Sequence, residues 1–143
     1  MNTLERIEHW ADDHHPLIVD YGRVLLGTYI FLKGIFFLQN WEVLFSLVES
    51  FYTEELIIVL VHYIAFAHLA GGLFIAIGLA TRMSILFQLP ILLGAVFMVN
   101  LSNEAYGTEW WASFIVLIGL IVYLIYGSGK FSADTWINNH PTR

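Results

Sequence analysis

Four long apolar runs dominate the pattern of the chain, covering residues 17–38, 56–80, 83–99 and 110–126. Because a helix rises ~1.5 Å per residue, runs of this length are about what is needed to cross a hydrocarbon layer ~30 Å thick. The second and fourth runs are apolar on every side, which is typical of helices surrounded by lipid or by one another. The pattern predicts an all-α integral membrane protein folded as a four-helix bundle.

A further, interfacial helix is predicted between the first and second runs. Its apolar positions share one helical face, and its polar positions share the opposite face. The apolar positions are Trp41, Leu44, Phe45, Val48 and Tyr52, and the polar ones are Glu42, Ser46, Glu49 and Ser50. Such a helix lies either in the outer membrane interface or over the mouth of the bundle, and the sequence leaves both placements open.

Composition and charge narrow the function classes. The chain has 143 residues, of which 58% are hydrophobic and 13% are charged, and its mean hydropathy is +0.70. The bundle uses up this length, so we expect a single transmembrane domain over residues 1–143 and no soluble catalytic domain. A formal net charge of −6 provides no basic surface for nucleic acid. The absence of cysteine excludes disulfides, thiolate metal sites and persulfide intermediates.

The cations are unevenly distributed about the predicted helices. Five of the six lie on the side that holds both termini, whereas Lys33 lies near the other side. Those five are Arg6, Arg23, Arg82, Lys130 and Arg143. The positive-inside rule then predicts a multi-pass protein with both termini in the cytoplasm. Arg23 and Arg82 would be anchoring residues at the cytosolic helix ends, with Asp20 as a local i, i+3 partner of Arg23.

Polar side chains inside the predicted helices are the candidates for a ligand site. An ionisable group at membrane depth costs ~2.5–3.5 kcal/mol on insertion scales, so each needs a reason to be there. Lys33 and His62 lie at similar depth, which favours a polar pocket open to the outer leaflet, and His68 and Gln88 are further candidates. The alternatives are that Lys33 snorkels to the headgroups and that His62 bonds Tyr29 or a backbone carbonyl.

The second run also carries small residues that allow helices to approach closely. Gly71, Gly72 and Gly78 are the predicted helix-packing positions. His62 and His68 are six residues apart, about 240° around one helix, so a single metal ion or haem cannot bind both. No metal site is predicted.

Five ordered segments resemble the DoxX family of small bacterial and archaeal membrane proteins. They are RVLLG at 23–27, FLKGI at 31–35, HLAGGL at 68–73, GLATR at 78–82 and YGSGKFSAD at 126–134. The resemblance implies a four-helix bundle in the bacterial inner (cytoplasmic) membrane, with both termini inside, and a link to redox chemistry. Some relatives resemble the membrane subunit of a thiosulfate:quinone oxidoreductase, and others are tied to oxidative-stress and sulfurtransferase partners. Many relatives carry a Glu at the position of His68, which puts any carboxylate-dependent role in doubt for this chain.

Two functions follow from these observations. The first is a non-catalytic membrane subunit of a larger redox or respiratory assembly, or a homo-oligomer, because the chain has no complete cofactor motif and no cysteine pair. The alternative is a quinone-linked membrane oxidoreductase component, in which Lys33 and His62, or His68 and Gln88, bind the carbonyls of a quinone. No covalently bound cofactor is expected in either case.

Single cysteines report on this topology because the chain has none of its own. We expect a cysteine at Ser50 to react with a membrane-impermeant thiol reagent in intact cells, since that position is predicted to lie outside. A cysteine at Ser132, predicted to lie inside, should stay unlabelled until the cells are opened. The reverse labelling pattern would contradict the orientation.

Overall fold

The structure, a computed structural model, describes residues 17–49, 53–99, 110–129 and 131–139. Every regular element in these ranges is a helix, which confirms the all-α prediction. The helices are α1 (Leu17–Gln39), α2 (Trp41–Glu49), α3 (Glu54–Ile77), α4 (Thr81–Gly94), α5 (Trp110–Tyr126) and α6 (Ala133–Asn139). A π-helical turn, Ala67–Gly71, interrupts α3, and a second one, Ala95–Val99, continues α4.

Two of the helices are long and apolar enough to cross a membrane by length and composition. These are α1 and α3, while the apolar segments Thr81–Phe97 and Trp111–Tyr126 are shorter. Large apolar side chains cover the outside of the helices: Leu25 is 72% exposed and Phe66 71%. Because so much apolar surface faces outward, the described helices suit lipid surroundings better than water.

Side chains from all four long helices meet in one apolar core. Ile30 of α1, Ile75 of α3, Ile85 of α4 and Leu120 of α5 belong to it, and all four are almost completely buried. The helices are therefore held together by ordinary close packing around a shared centre.

The short helix α2 packs on the first half of α3. Leu44 and Val48 are buried against Ile57 and Val61, whereas Glu42, Ser46 and Glu49 are exposed. The predicted apolar face thus contacts protein, which favours the placement over the end of the bundle. The predicted positions Ser50 and Tyr52 lie outside the described residues.

Glycines allow α1 and α3 to cross at close range. A Cβ on Gly72 would lie 2.5 Å from the backbone N of Phe31, and a Cβ on Gly27 would collide with the backbone N of Ala76. A Cβ on Gly34 would lie 3.0 Å from the Cβ of His68. These three glycines therefore form contacts between α1 and α3 inside the protein, and they are not available for packing against another protein.

The connection between α3 and α4 differs from the prediction. The second apolar run was expected to continue to residue 80, but α3 ends at Ile77 because Gly78 adopts a left-handed conformation with φ 73°. Ala80 is also left-handed, with φ 45°, and its N–H donates to Asp134 Oδ1 at 2.9 Å. Gly78 is thus a helix-ending turn residue, and it also lies at a close contact, because an added Cβ would lie 2.6 Å from Arg23 Nη1 of α1.

Pro90 lies inside α4. The Tyr63 hydroxyl of α3 donates to the Phe87 carbonyl, three residues before the proline, at 2.6 Å. Proline lacks the N–H that would bond the carbonyl four residues earlier, that of Leu86, and Tyr63 donates to the next carbonyl along the helix.

The proposed cysteine probe at position 132 needs replacement. Ser132 is only 8% exposed, and its Oγ donates to the Gly129 carbonyl and accepts from the Thr135 N–H, which caps α6. A cysteine there would be protected by burial on either side of a membrane. Asn139, which is exposed, is the better internal probe.

The close crossing of α1 and α3 predicts that a larger residue at Gly72 lowers the stability of the protein. We expect Gly72→Ala to destabilise the protein by ~1–3 kcal/mol, and Gly72→Leu to cost at least as much, because the new atoms meet the backbone of α1. Gly94→Ala is the matched control, since nothing lies within 4 Å of the added Cβ and alanine favours helix. Thermal unfolding in detergent measures both, and equal melting temperatures would contradict the close crossing.

Candidate functional site

Arg23 lies at the centre of a buried polar cluster at one end of the bundle. It is 1% exposed, and its guanidinium donates from Nη1 to the carbonyls of Ile75, at 2.7 Å, and Ala76, at 3.0 Å. Its Nη2 donates to the Phe131 carbonyl at 2.8 Å. The first two carbonyls lie at the end of α3, where a helix leaves carbonyls without internal donors and carries partial negative charge. Arg23 therefore fastens α1 to the end of α3 and to the segment before α6.

This burial corrects the prediction for Arg23. An anchoring residue would present its charge to headgroups, whereas the Arg23 side chain is enclosed and both of its terminal nitrogens bond backbone carbonyls. The expected local partner Asp20 is also buried, and its Oδ1 has no hydrogen-bond partner in the described part of the chain. The sequence spacing indicates a surface pair, whereas both side chains are buried and the Arg23 guanidinium bonds carbonyls of α3.

Arg82 lies at the start of α4, close to the end of α5. Its Nη2 is 3.5 Å from the Ile125 carbonyl, and its guanidinium is packed so closely on Gly127 that an added Cβ there would lie 3.4 Å away. A cation at the end of α5 meets the negative helix terminus favourably. A polar cleft of about 440 Å³ opens beside it, lined in part by Thr81, Tyr126 and Asp134. The four predicted pocket residues are not among its lining.

His68 and Gln88 are joined directly inside the protein. The two side-chain Nε2 atoms are 3.2 Å apart, and Gln88 is completely buried while His68 is 8% exposed. His68 Nδ1 is 2.9 Å from the Ile64 carbonyl, one turn earlier in α3. His68 belongs to the π-helical turn Ala67–Gly71, and turns of this kind occur frequently at functional sites.

Residues of α1 surround this pair. The ring of Phe37 meets the His68 ring edge to face, with centroids 5.2 Å apart. Lys33 is half-buried, its Nζ is 5.5 Å from the centroid of the Phe36 ring, and its charge is within electrostatic range of His68. Lys33, His68 and Gln88 thus lie in one region of the fold.

His62 lies apart from them. It is exposed, its Nδ1 donates to the Ile58 carbonyl at 2.7 Å, and its ring meets that of Trp41 at 5.2 Å. The backbone carbonyl was one of the two alternatives for His62. The structure therefore associates His62 with the contact between α2 and α3, and separates it from the His68–Gln88 pair.

Sequence reasoning missed the two tyrosine hydroxyls that join helices. Besides Tyr63, the Tyr123 hydroxyl of α5 donates to the Val19 carbonyl of α1 at 2.7 Å. A Cβ on Gly22 would collide with this hydroxyl, so a side chain there would force Tyr123 to move. A tyrosine inside an apolar run needs a hydrogen-bond partner for its hydroxyl, so the sequence position of these tyrosines could have predicted bonds between helices. Within the described residues, no group of three or more His, Asp or Glu side chains could hold a metal ion.

The Arg23 contacts predict a large effect of substitution. We expect Arg23→Met to destabilise the protein by about 3 kcal/mol or more, because three carbonyls lose a charged donor in a buried place. Arg23→Lys should rescue little, since one ammonium cannot span the three carbonyls as a planar fork does. Arg82→Met, at a half-buried side chain with a longer contact, should cost less. Unfolding in detergent compares the three variants, and equal losses would contradict the special role of Arg23.

The comparisons with known proteins agree with the resemblance seen in the sequence. The DoxX family profile matches residues 18–101, more than half of the chain, from the start of α1 to just past α4. No curated protein and no solved structure matches. DoxX is a family of membrane proteins, so contact with the lipid bilayer follows from membership. On the strength of that match and of the ordered segments that carry it, the chain belongs to the DoxX family.

Proposed function

We propose that the protein is a non-catalytic subunit of a larger redox or respiratory assembly in the bacterial inner membrane. One observation carries the proposal: three polar side chains inside the bundle donate hydrogen bonds to backbone carbonyls of neighbouring helices. Arg23, Tyr63 and Tyr123 all make such bonds. Groups used in this way hold a fold together, and they are not free to bind or transform a substrate.

Four membrane crossings form part of the proposal. The shorter helices α4 and α5 share the apolar core with α1 and α3, so we expect all four to lie at the same depth. With its π-helical continuation, α4 covers Thr81–Val99, and α5 covers Trp110–Tyr126. Both are near the lower end of the ~17–25 residues that a transmembrane helix needs.

The cytoplasmic position of both termini is proposed from the charges. Arg23 and Arg82 lie at the end of the bundle that also holds α6, and Lys33 lies toward the other end, near α2. The positive-inside rule favours a cytoplasmic location for the end with the arginines. Labelling of Glu49→Cys from outside and of Asn139→Cys from inside would test this with positions that are both exposed.

A second candidate function rests on the His68–Gln88 pair. It is a buried polar pair whose Gln88 Oε1 accepts no hydrogen bond within the described residues, and quinone sites are built from such groups beside apolar walls. In this alternative the protein is a quinone-linked oxidoreductase component, and the ligand lies near His68, Gln88 and Lys33. His62 is left out of the pocket because it lies on the exposed side of α3.

Purification at native expression level separates the two functions. For the subunit, we expect stoichiometric redox or respiratory proteins to co-elute in mild detergent, with an untagged strain as the background control. A homo-oligomer without other partners would narrow the proposal to self-assembly. A lone monomer that retains quinone and oxidises a donor would overturn it in favour of the alternative.

The same preparation tests the quinone site. If the alternative holds, Gln88→Met should lower the extracted quinone several-fold, because it replaces the amide with a side chain of similar size that cannot donate. His62→Gln is the matched control, since it changes an exposed histidine outside the pair. Equal quinone content in wild type and both variants would exclude this site.

A further inference from the structure

The hydrogen bonds of His68 fix which of its ring nitrogens carries the proton. Nδ1 is 2.9 Å from the Ile64 carbonyl, which can only accept, so Nδ1 carries the hydrogen. Neutral imidazole has one N–H, which leaves Nε2 as an acceptor. The Gln88 amide must then present its NH₂ group to Nε2, across 3.2 Å. The orientation of the amide is thus dictated by the protonation state of His68.

The neutral arrangement leaves one strong acceptor unsatisfied. Gln88 is 0% exposed, and its Oε1 has no hydrogen-bond partner within the described residues. This oxygen faces Gly71, at 3.6 Å from the position a Cβ would take there, on the side where the Ser84 carbonyl also lies. A buried acceptor without a donor costs ~1–3 kcal/mol. The neutral state of the pair therefore leaves part of the bonding capacity of Gln88 unused.

A second proton on His68 reverses the role of Nε2, which then donates a hydrogen bond and no longer accepts one. With Nε2 protonated, both ring nitrogens donate, and Gln88 must turn its amide to present Oε1. The turn exchanges the amide oxygen and nitrogen without moving the helices, gives the unused acceptor a donor, and carries the NH₂ group toward the side of the Ser84 carbonyl. The step consists of one proton taken up and no electron transferred, and release of the proton returns the amide to its first orientation.

We infer that His68 and Gln88 form a buried proton-binding site, in which Gln88 is a positioning residue that turns its amide each time His68 gains or loses a proton. The inference is independent of the proposed subunit and quinone functions. Among the described residues, Lys33 of α1 is the charged group within electrostatic range of His68. The groups of α4 near the pair, Gln88 and Ser84, are uncharged, and Phe37 of α1 adds an aromatic ring.

Ring-nitrogen NMR of histidine-labelled protein in nanodiscs tests the site. At about pH 8, above the ordinary titration range of imidazole, wild-type His68 should be the Nδ1–H tautomer. On acidification the side-chain amide signals of Gln88 should shift in step with the His68 ring. His62 is a built-in control, because it has the same bond to the carbonyl one turn earlier but is exposed and has no hydrogen bond from Gln88. Its titration should not move the Gln88 signals.

Two substitutions sharpen the test. In Gln88→Glu the carboxylate accepts from Nε2, so at about pH 8 the fraction of His68 with a proton on Nε2 should rise at least about tenfold. Gln88→Met, of similar size but without donor or acceptor, should show no such rise, and His68→Phe identifies the signal. The proposal is wrong if wild-type His68 holds its proton on Nε2 at high pH. It is equally wrong if the Gln88 amide ignores the His68 titration, or if a folded Gln88→Glu protein shows no rise.

Discussion

The buried guanidinium of Arg23 joins three parts of the chain that are far apart in sequence. It lies on α1, bonds the last carbonyls of α3 and bonds the segment that leads into α6. The turn at Gly78 fits around it, since any side chain there would strike Arg23 and Ser132. Asp134 hydrogen-bonds both sides of the same turn. Its backbone N–H donates to the Gly78 carbonyl, and its side-chain Oδ1 accepts from the Ala80 N–H. Without the arginine, the Ala76 carbonyl would lose this donor, and the Ile75 carbonyl would keep only the Gly78 N–H at 3.3 Å.

The same principle explains the other polar side chains between helices. Apolar side chains gain little by leaving lipid for a protein interior, so close packing and hydrogen bonds must supply much of the association energy. Glycines at the crossing of α1 and α3 supply the close packing, and Tyr63 and Tyr123 supply bonds from one helix to the backbone of another. Because these groups are already satisfied, the His68–Gln88 pair differs from them in retaining an unused acceptor.

The sequence predicts the helices better than it predicts the contacts of their polar residues. Apolar runs mark membrane-length helices locally, so the predicted first run, 17–38, and α1, Leu17–Gln39, nearly coincide. The end of α3 was missed because Gly78 is followed by apolar residues that read as more helix. Arg23 was misread because only tertiary structure shows that a helix end with open carbonyls lies opposite. The separation of His62 from His68 follows from the helical spacing, but the pairing of His68 with Gln88 depends on how α3 and α4 are rotated.

The two histidines of α3 show why burial decides which of them is a candidate for function. His62 and His68 each bond the carbonyl one turn earlier, at 2.7 and 2.9 Å. His62 is exposed beside Trp41, so solvent or headgroups can satisfy its second nitrogen in either protonation state. The second nitrogen of His68 has Gln88 as its partner, so the Gln88 amide must turn when the His68 ring gains or loses its charge. The imidazole makes the orientation of the amide depend on a proton, and this dependence is the chemical consequence of having His68 in this chain.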